Sequence, residues 1–355
     1  MTEQSADRRT ATEGADVIAA VAGDPEAFRR LTDPYVRELH LHCYRLLGSV
    51  HDAEDAVQET LLRAWRYLAT FEGRSSWRAW LYRIATNVCL RQGARLRPPA
   101  ADLPLALAEA VARSTEPTIT LSPYPDALLD EIEATASDPV AAYDLWESVQ
   151  LAFAAAVQLL PPRQRAVLIL RDVLGWSAGE VADALAATPA SVNSALTRAR
   201  AALARQRAAG RLPTGRGTPT GEAAWSLVRR YVEAWDAVDL DALAELLTSD
   251  VVLTMPPLPL RYSGRAAVAD FFATIPAGGA LDQFRLLPTR ANRQPAVAVY
   301  RRDPVGPLDR AWGIFVLGMA SEAIADITAF VDPGLAPVFG VPTELAWEVG
   351  ASERR

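Results

Sequence analysis

The apolar residues of this chain change their period once. From about 16 to 209 they recur at three- and four-residue steps, whereas from 222 onward they gather in short strand-like runs such as VVLTM, AVAVYRR, AWGIFVLGM and IADITAF. A chain patterned this way cannot be one helical bundle or one sheet; it needs all-α parts followed by an α+β part. At 355 residues it is long enough for two or three domains, each with its own core.

Breaker-rich stretches divide it further. Residues 98–138 are rich in Pro, Ala, Ser and Thr and mostly acidic, which predicts an extended linker with local structure around LSPYPDALLDE at 121–131. A second break, RLPTGRGTPTG, occupies 211–221. The expected organisation is a helical domain at 16–97, the acidic linker at 98–138, a second helical domain at 139–210, a short linker at 211–221 and an α+β domain at 222–340. In the first block Val57, Leu61, Ala64, Trp65 and Leu68 carry the helical period, and in the last an amphipathic helix covers Trp225 to Trp235.

The net charge is -7, which argues against a uniformly basic nucleic-acid coat, but the charge is segregated. Every basic residue is arginine, a permanently charged planar fork suited to phosphate and guanine. Cys43 and Cys89 form no close-spaced ligand pair, so neither a disulfide framework nor a thiolate metal site is expected. His40 and His42 stand two apart, a spacing that points them in different directions on a helix, and His51 opens an acidic run; no metal or cofactor is expected. The polar N-terminus and the lack of a spanning apolar stretch predict a cytoplasmic protein with no membrane partner.

Two stretches carry nucleic-acid chemistry. Between Phe71 and Arg97 six arginines (Arg74, Arg78, Arg83, Arg91, Arg95, Arg97) face one acid, Glu72, with Trp77, Trp80 and Tyr82 interleaved. Phosphate attraction plus ring stacking is the physics of holding a separated strand. An ordinary basic helix with its rings in the core is the plainer reading, and for Trp80 and Tyr82 it is preferred. Further on, Ser177 can cap a helix bearing Val181 and Leu185, a turn at Ala187 to Pro189 follows, and a second helix carries Val192, Leu196, Ala199 and Leu203 on one face. That is helix-turn-helix spacing. Burying this face turns Ser191, Asn193, Ser194, Thr197 and Arg198 outward, where Asn193 can pair with adenine while Arg198 and Arg200 reach phosphates.

The order of these features resembles bacterial sigma factors of the extracytoplasmic function type. The run DAEDAVQETLLRAW is similar to the region 2 helix that docks on the beta-prime clamp helices of core RNA polymerase, which implies core contacts by Asp52, Glu54, Asp55, Gln58 and Glu59. WLYRIATN resembles the segment that melts and reads the minus-ten element. The resemblance places Phe71 and nearby Gly73, Arg74, Ser75 and Ser76 in the loop that captures a flipped base, with Asn87 beside it, Arg83 and Arg91 on phosphates and Trp77 among the minus-ten contacts. The helix-turn-helix becomes region 4, which implies a contact with the beta flap and minus-thirty-five readout by Ser191, Asn193, Ser194, Thr197, Arg198 and Arg200. Promoter DNA and core polymerase are the implied partners, and family members thread the connection between the two regions through polymerase channels.

Residues 222–340 resemble the SnoaL-like family of cone-shaped α+β barrels, on YVEAWDAVDLDALAELLTSDVVLTMPP, YSGRAAVADFF and IADITAFVDPGLAPVFGVP. Sigma factors with such an appended domain use it for control in cis, which is the implied role. Catalytic relatives need a carboxylate base, and Met255 stands where one is expected, so no enzyme activity is expected. Tyr231, Trp235, Met255, Phe271, Phe272, Trp312 and Phe315 are candidates for lining a pocket that takes a small apolar ligand, or simply for the core. Two other readings stay open: a SnoaL-like isomerase or cyclase with a helical targeting arm, and a simple helix-turn-helix repressor.

Overall fold

The computed structural model describes residues 14–73, 75–92, 105–114, 121–135, 158–208 and 221–346. The chain forms two compact units, one from 1–95 with 160–203 and the other from 96–159 with 204–355.

In the first unit α1 (Pro25–Thr32) starts at Asp24, whose side chain accepts from the Glu26 N–H. α2 (Val36–Leu47) stops at Gly48 in the left-handed conformation, and Ser49 caps the next helix, α3 (Val50–Arg66), by accepting from the Asp52 N–H. α3 buries Ala53, Ala56, Val57, Thr60 and Ala64, the stripe that three- and four-residue steps dictate. α4 (Trp77–Gln92) closes this bundle with Trp77, Trp80, Leu81, Ala85 and Val88. Inside it, His42 Nε2 lies 2.8 Å from Thr86 Oγ1, and burial pushes His42 down to about 3, so the ring is neutral. Cys43 and Cys89 are both buried free thiols in the same bundle.

The second helical block joins the same unit. α7 (Pro162–Leu168) runs into a π-helical turn at Ile169–Val173, followed by α8 (Ala178–Ala184) and α9 (Pro189–Ala208). Ser177 and Glu180 form a reciprocal capping box at the start of α8. Val181, Ala184, Leu185, Val192, Ala195, Leu196 and Ala199 are buried between the two helices, as the periodicity requires.

The second unit is built on a seven-stranded sheet: β1 (Leu247–Thr254), β2 (Arg261–Ser263), β3 (Phe284–Ala291), β4 (Gln294–Arg302), β5 (Leu308–Ala320), β6 (Ala323–Phe330) and β7 (Glu344–Ala346). The order is β2-β1-β6-β5-β4-β3, with β7 pairing β5; β1 and β6 run parallel and the other pairs antiparallel. The sequence pattern does not predict β3, because Pro288 and two arginines break it; β3 is an edge strand, where a missing N–H is tolerated. Register aligns Leu253, Ile327 and Leu317 across three strands, and Val297 with Phe315 beside them. This face meets α10 (Glu222–Asp236), α11 (Leu240–Glu245) and α12 (Arg265–Thr274) in one apolar core.

On the opposite face Asp326 pairs with Gly318, and a Cβ at 318 would lie 2.1 Å from the Asp326 carboxylate. Burial raises the Asp326 carboxyl to about 6. Its folded value lies above the unfolded value of about 3.9. The stabilising protonated form is therefore complete below that value and is lost as pH rises through 6. Asp326→Asn is expected to raise the thermal midpoint at about pH 7.5 and to flatten the decline in stability between pH 4 and 7, a difference of roughly 2 to 3 kcal/mol. Equal pH slopes for both proteins in thermal melts would contradict this.

The described parts of the stretch expected to be an extended linker, 105–114 and 121–135, are instead packed. α5 (Leu105–Arg113) and α6 (Asp126–Thr135) lie within it, and Leu107 is buried in the apolar core of the C-terminal sheet and helices. Ser114 Oγ donates to the Pro259 carbonyl. Tyr124 and Asn292 bond in both directions, Tyr124 N–H to Asn292 Oδ1 and Asn292 N–H to the Tyr124 carbonyl, each at 2.8 Å. Asn292 and Arg293 form the tip of the β3–β4 hairpin with φ of 54° and 59°, the geometry of a two-residue hairpin turn. The Arg293 N–H donates to Asp126 Oδ1 at 2.7 Å, Arg290 meets Asp126 Oδ2 at 3.1 Å, and the Arg293 guanidinium meets Asp130. The Pro and Ser residues on either side mask the helical period of LALAEAVAR and DALLDEIEAT.

Candidate nucleic-acid interface

On α3 the buried stripe turns Glu54, Asp55 and Gln58 fully outward and leaves Asp52 and Glu59 half-buried. Glu59 pairs with Arg63 one turn on, at 2.5 Å. Leu62 is 60% exposed on the same helix, and Trp65 is 39% exposed with its edge against Phe28. An acidic face flanked by bare apolar residues suits protein docking better than an acidic face alone. Sequence reasoning missed Leu62; its signal is an apolar residue off the buried stripe.

The start of α4 departs from expectation. Trp77 is 3% exposed, donates its indole N–H to the Leu31 carbonyl at 2.8 Å and stacks on Trp80 at 5.0 Å. Phe71 lies edge-on to Trp77 at 5.2 Å. Trp77 is therefore a core residue with its polar atom satisfied, and its assignment to base stacking is corrected. Trp80 and Tyr82 are buried as well. Arg74 lies outside the described residues. Ser75, Ser76, Arg83 and Arg91 are exposed, and Ser76 accepts from the Ala79 N–H. Arg78 pairs with Glu38 at 2.8 Å and lies over the Tyr82 ring, so this arginine is locally neutralised.

Asn87 faces a protein neighbour. Its Nδ2 donates to the Arg83 carbonyl at 2.8 Å and to the Ala184 carbonyl, at the end of α8, at 3.2 Å. Arg165 donates to the Leu46 and Leu160 carbonyls, and the Tyr82 and Trp176 rings lie 6.4 Å apart. The helix-turn-helix is thus docked against the helix that carries the candidate strand-holding residues.

On α9 all six candidate residues are exposed, but their chemistry divides. Ser191 is tied into the helix cap: its N–H donates to Thr188 Oγ1 at 3.2 Å, and its Oγ accepts from the Thr188 N–H at 3.3 Å and donates to the Thr188 carbonyl at 2.9 Å. Arg200 is held by Asp172 through two bonds of 2.7 and 3.0 Å, so its role as an open phosphate arm is not supported by this geometry. Thr197 Oγ1 donates back to the Asn193 carbonyl. Asn193, Ser194 and Arg198 remain as outward groups near the helix start. Asn193→Ala is expected to relax base preference at one promoter position by about 1 to 3 kcal/mol, while Arg198→Ala weakens binding to all sequences and lowers the salt slope by about one. Identical footprints and salt slopes for the two variants would contradict the division.

In the C-terminal domain Tyr231, Trp235, Met255 and Phe271 are buried and Trp312 is half-buried. The four rings belong to one aromatic run through Phe272 and Phe284, with Trp235 at 5.4 Å from Phe272 and Phe284 at 5.1 Å from Trp312. The Tyr231 hydroxyl and the Trp235 indole N–H are enclosed without hydrogen-bond partners. Each such group costs roughly 1 to 3 kcal/mol. Among the described residues no cluster of His, Cys, Asp or Glu could hold a metal, and no helix is long and apolar enough to cross a membrane.

Three family models match this chain: Sigma-70 region 2 over 31–97, Sigma-70 region 4 over 150–203 and the SnoaL-like domain over 228–327. The chain is 43% identical to the ECF RNA polymerase sigma factor SigG of Mycobacterium tuberculosis over 328 residues, covering 90% of this chain and 85% of SigG. It is 31% identical to the ECF sigma factor SigW of Bacillus subtilis over 52% of this chain and 90% of SigW. The crystal structure of SigJ from Mycobacterium tuberculosis shares the fold with a TM-score of 0.53 at 23% identity, covering 90% of this chain and all of that one. The protein is a sigma factor, two helical DNA-reading domains with an appended α+β domain. It belongs to the extracytoplasmic function RNA polymerase sigma factors, which bind core polymerase and promoter DNA to start transcription.

Proposed function

We propose that α3 docks on the beta-prime clamp helices through Glu54, Asp55, Gln58 and the flanking Leu62, with Asp52 and Glu59 at its margin. Arg83, Arg91 and Asn87 hold the minus-ten strand, Asn193 and Arg198 read the minus-thirty-five element, and the helix-turn-helix unit meets the beta flap. The protein works where the polymerase is, in the cytoplasm. Bond-making stays with the polymerase: Met255 at the base position leaves the C-terminal domain without the group that proton abstraction needs.

The C-terminal domain acts in cis by holding the segment that connects the two DNA-reading domains. The single observation that carries this is the two-way bond between Asn292 and Tyr124, backed by the Asp126 contacts with Arg290 and Arg293. A connector clasped to a hairpin cannot at the same time thread a polymerase channel, so the clasp restrains initiation. Reconstituted transcription with core enzyme on a promoter library tests it, using the full chain, Asn292→Ala and a truncation ending near Gly210. Losing about 1 kcal/mol of clasp is expected to raise initial output about fivefold in Asn292→Ala. Unchanged output from both altered proteins would refute the control.

A further inference from the structure

Asn193 and Arg200 share one face of α9, because the seven residues from one to the other make almost two full turns of helix. Thr197 lies between them, its Oγ1 bonded to the Asn193 carbonyl. Arg200 is thus aimed the way the base-reading candidate is aimed, about 10 Å further along the helix. Its guanidinium is nonetheless taken. Nε donates to Asp172 Oδ2 at 3.0 Å and Nη2 to Oδ1 at 2.7 Å, the two-pronged grip by which an arginine holds a phosphate. Asp172 stands in the π-helical turn Ile169–Val173, and that turn is braced: the Arg171 guanidinium donates to the Trp176 carbonyl, and the Trp176 N–H to the Leu170 carbonyl at 2.9 Å. The carboxylate is held ready by the backbone. The pair lies at the surface, with 61% of the Arg200 side chain and 30% of the Asp172 side chain exposed. Such a pair adds little to folding, so its consequence lies in what Arg200 is kept from.

We propose that Asp172 is a built-in substitute for a DNA phosphate: it occupies the Arg200 fork and withholds one sequence-independent contact from the recognition helix. The inference rests on the reading that α9 faces DNA. As a unit the pair is neutral, so it releases no counterion when α9 enters the groove, whereas a freed Arg200 releases about one. A phosphate that reached Arg200 would also come beside the Asp172 carboxylate, and that repulsion offsets the attraction. Phosphate contacts strengthen binding to every sequence alike. Withholding one therefore loosens the hold on all DNA and leaves discrimination to Asn193 and its neighbours.

The test uses holoenzyme, the full chain bound to core RNA polymerase, with two labelled duplexes, a promoter selected from a library and a scrambled sequence of the same composition. Asp172→Asn is expected to tighten binding to both duplexes about tenfold at about 50 mM salt and about threefold at about 200 mM, steepening the salt slope by about one. Asp172→Asn combined with Arg200→Gln, which removes both charges, is expected to bind as the unaltered protein does. Both altered proteins are expected to keep their thermal midpoints within about 3 °C. No gain from Asp172→Asn, a gain confined to the promoter, a double variant whose slope falls by about one, or a midpoint lowered beyond that range would each overturn the proposal. The third outcome would put Arg200 on a phosphate in the unaltered protein, and the last would make the pair structural. Failure of the reading beneath it shows separately: if α9 does not face DNA, Arg198→Ala leaves both affinities unchanged, whereas weaker binding by Arg198→Ala without a gain from Asp172→Asn removes the Asp172 proposal alone.

Discussion

Reversing two charges on α3, Glu54→Arg with Asp55→Arg, is expected to abolish co-migration with core RNA polymerase and to cut promoter-dependent transcription at least about a hundredfold. Both carboxylates are exposed, on the side of the helix away from Ala53, Ala56 and Val57, so folding does not depend on them. Exposed substitutions of this kind move stability by only about half a kcal/mol, and an unchanged thermal midpoint is the control. At the interface each lost charge contact, with repulsion added, costs roughly 2 to 5 kcal/mol, and about 3 kcal/mol is already a hundredfold. A variant that still elutes with the polymerase at moderate salt would remove α3 from the interface.

A disulfide joining Asn87→Cys to Ala184→Cys is expected to silence transcription, with activity returning at least about fiftyfold on reduction. The two positions touch, at 3.2 Å between Asn87 Nδ2 and the Ala184 carbonyl. On the proposed assignment they serve promoter elements about 25 base pairs apart, roughly 85 Å of B-DNA at about 3.4 Å per pair. One contact cannot survive both engagements. The 98–138 connector, about 140 Å when fully extended, permits the opening once it is released. The native thiols are both buried, so the single-cysteine variants serve as controls and should not respond to reductant. Equal transcription by the oxidised and reduced forms would show that the docked arrangement is compatible with the promoter.

Much of this is legible in the sequence because local rules suffice where neighbours in sequence are neighbours in space. Ser177 with Glu180, Ser49 with Asp52, and the apolar steps through Val181, Val192, Leu196 and Ala199 place the helix-turn-helix and its outward residues from capping and period alone. The same logic puts Glu54 and Asp55 in water. Where it fails, the partner lies far along the chain. Trp77 reads as a strand-holding ring because nothing near it in sequence claims its indole N–H, yet the Leu31 carbonyl, 46 residues away, takes it. Arg200 reads as a phosphate arm, but Asp172, 28 residues away, holds it. The connector looks like a spacer because composition records no partner, and its partner is a hairpin tip 168 residues downstream.

The amino-acid sequence by itself determined the order of all-α parts followed by an α+β part, the caps and faces of the helices and the segregation of acid from base, because period and capping act within one or two turns of backbone. Only the tertiary structure decided which charged and aromatic side chains are already spent, that Asn87 touches Ala184, and that the connecting segment lies on the C-terminal sheet. Burial and pairing are settled by whatever surface arrives opposite, and that surface comes from residues that no local period can name.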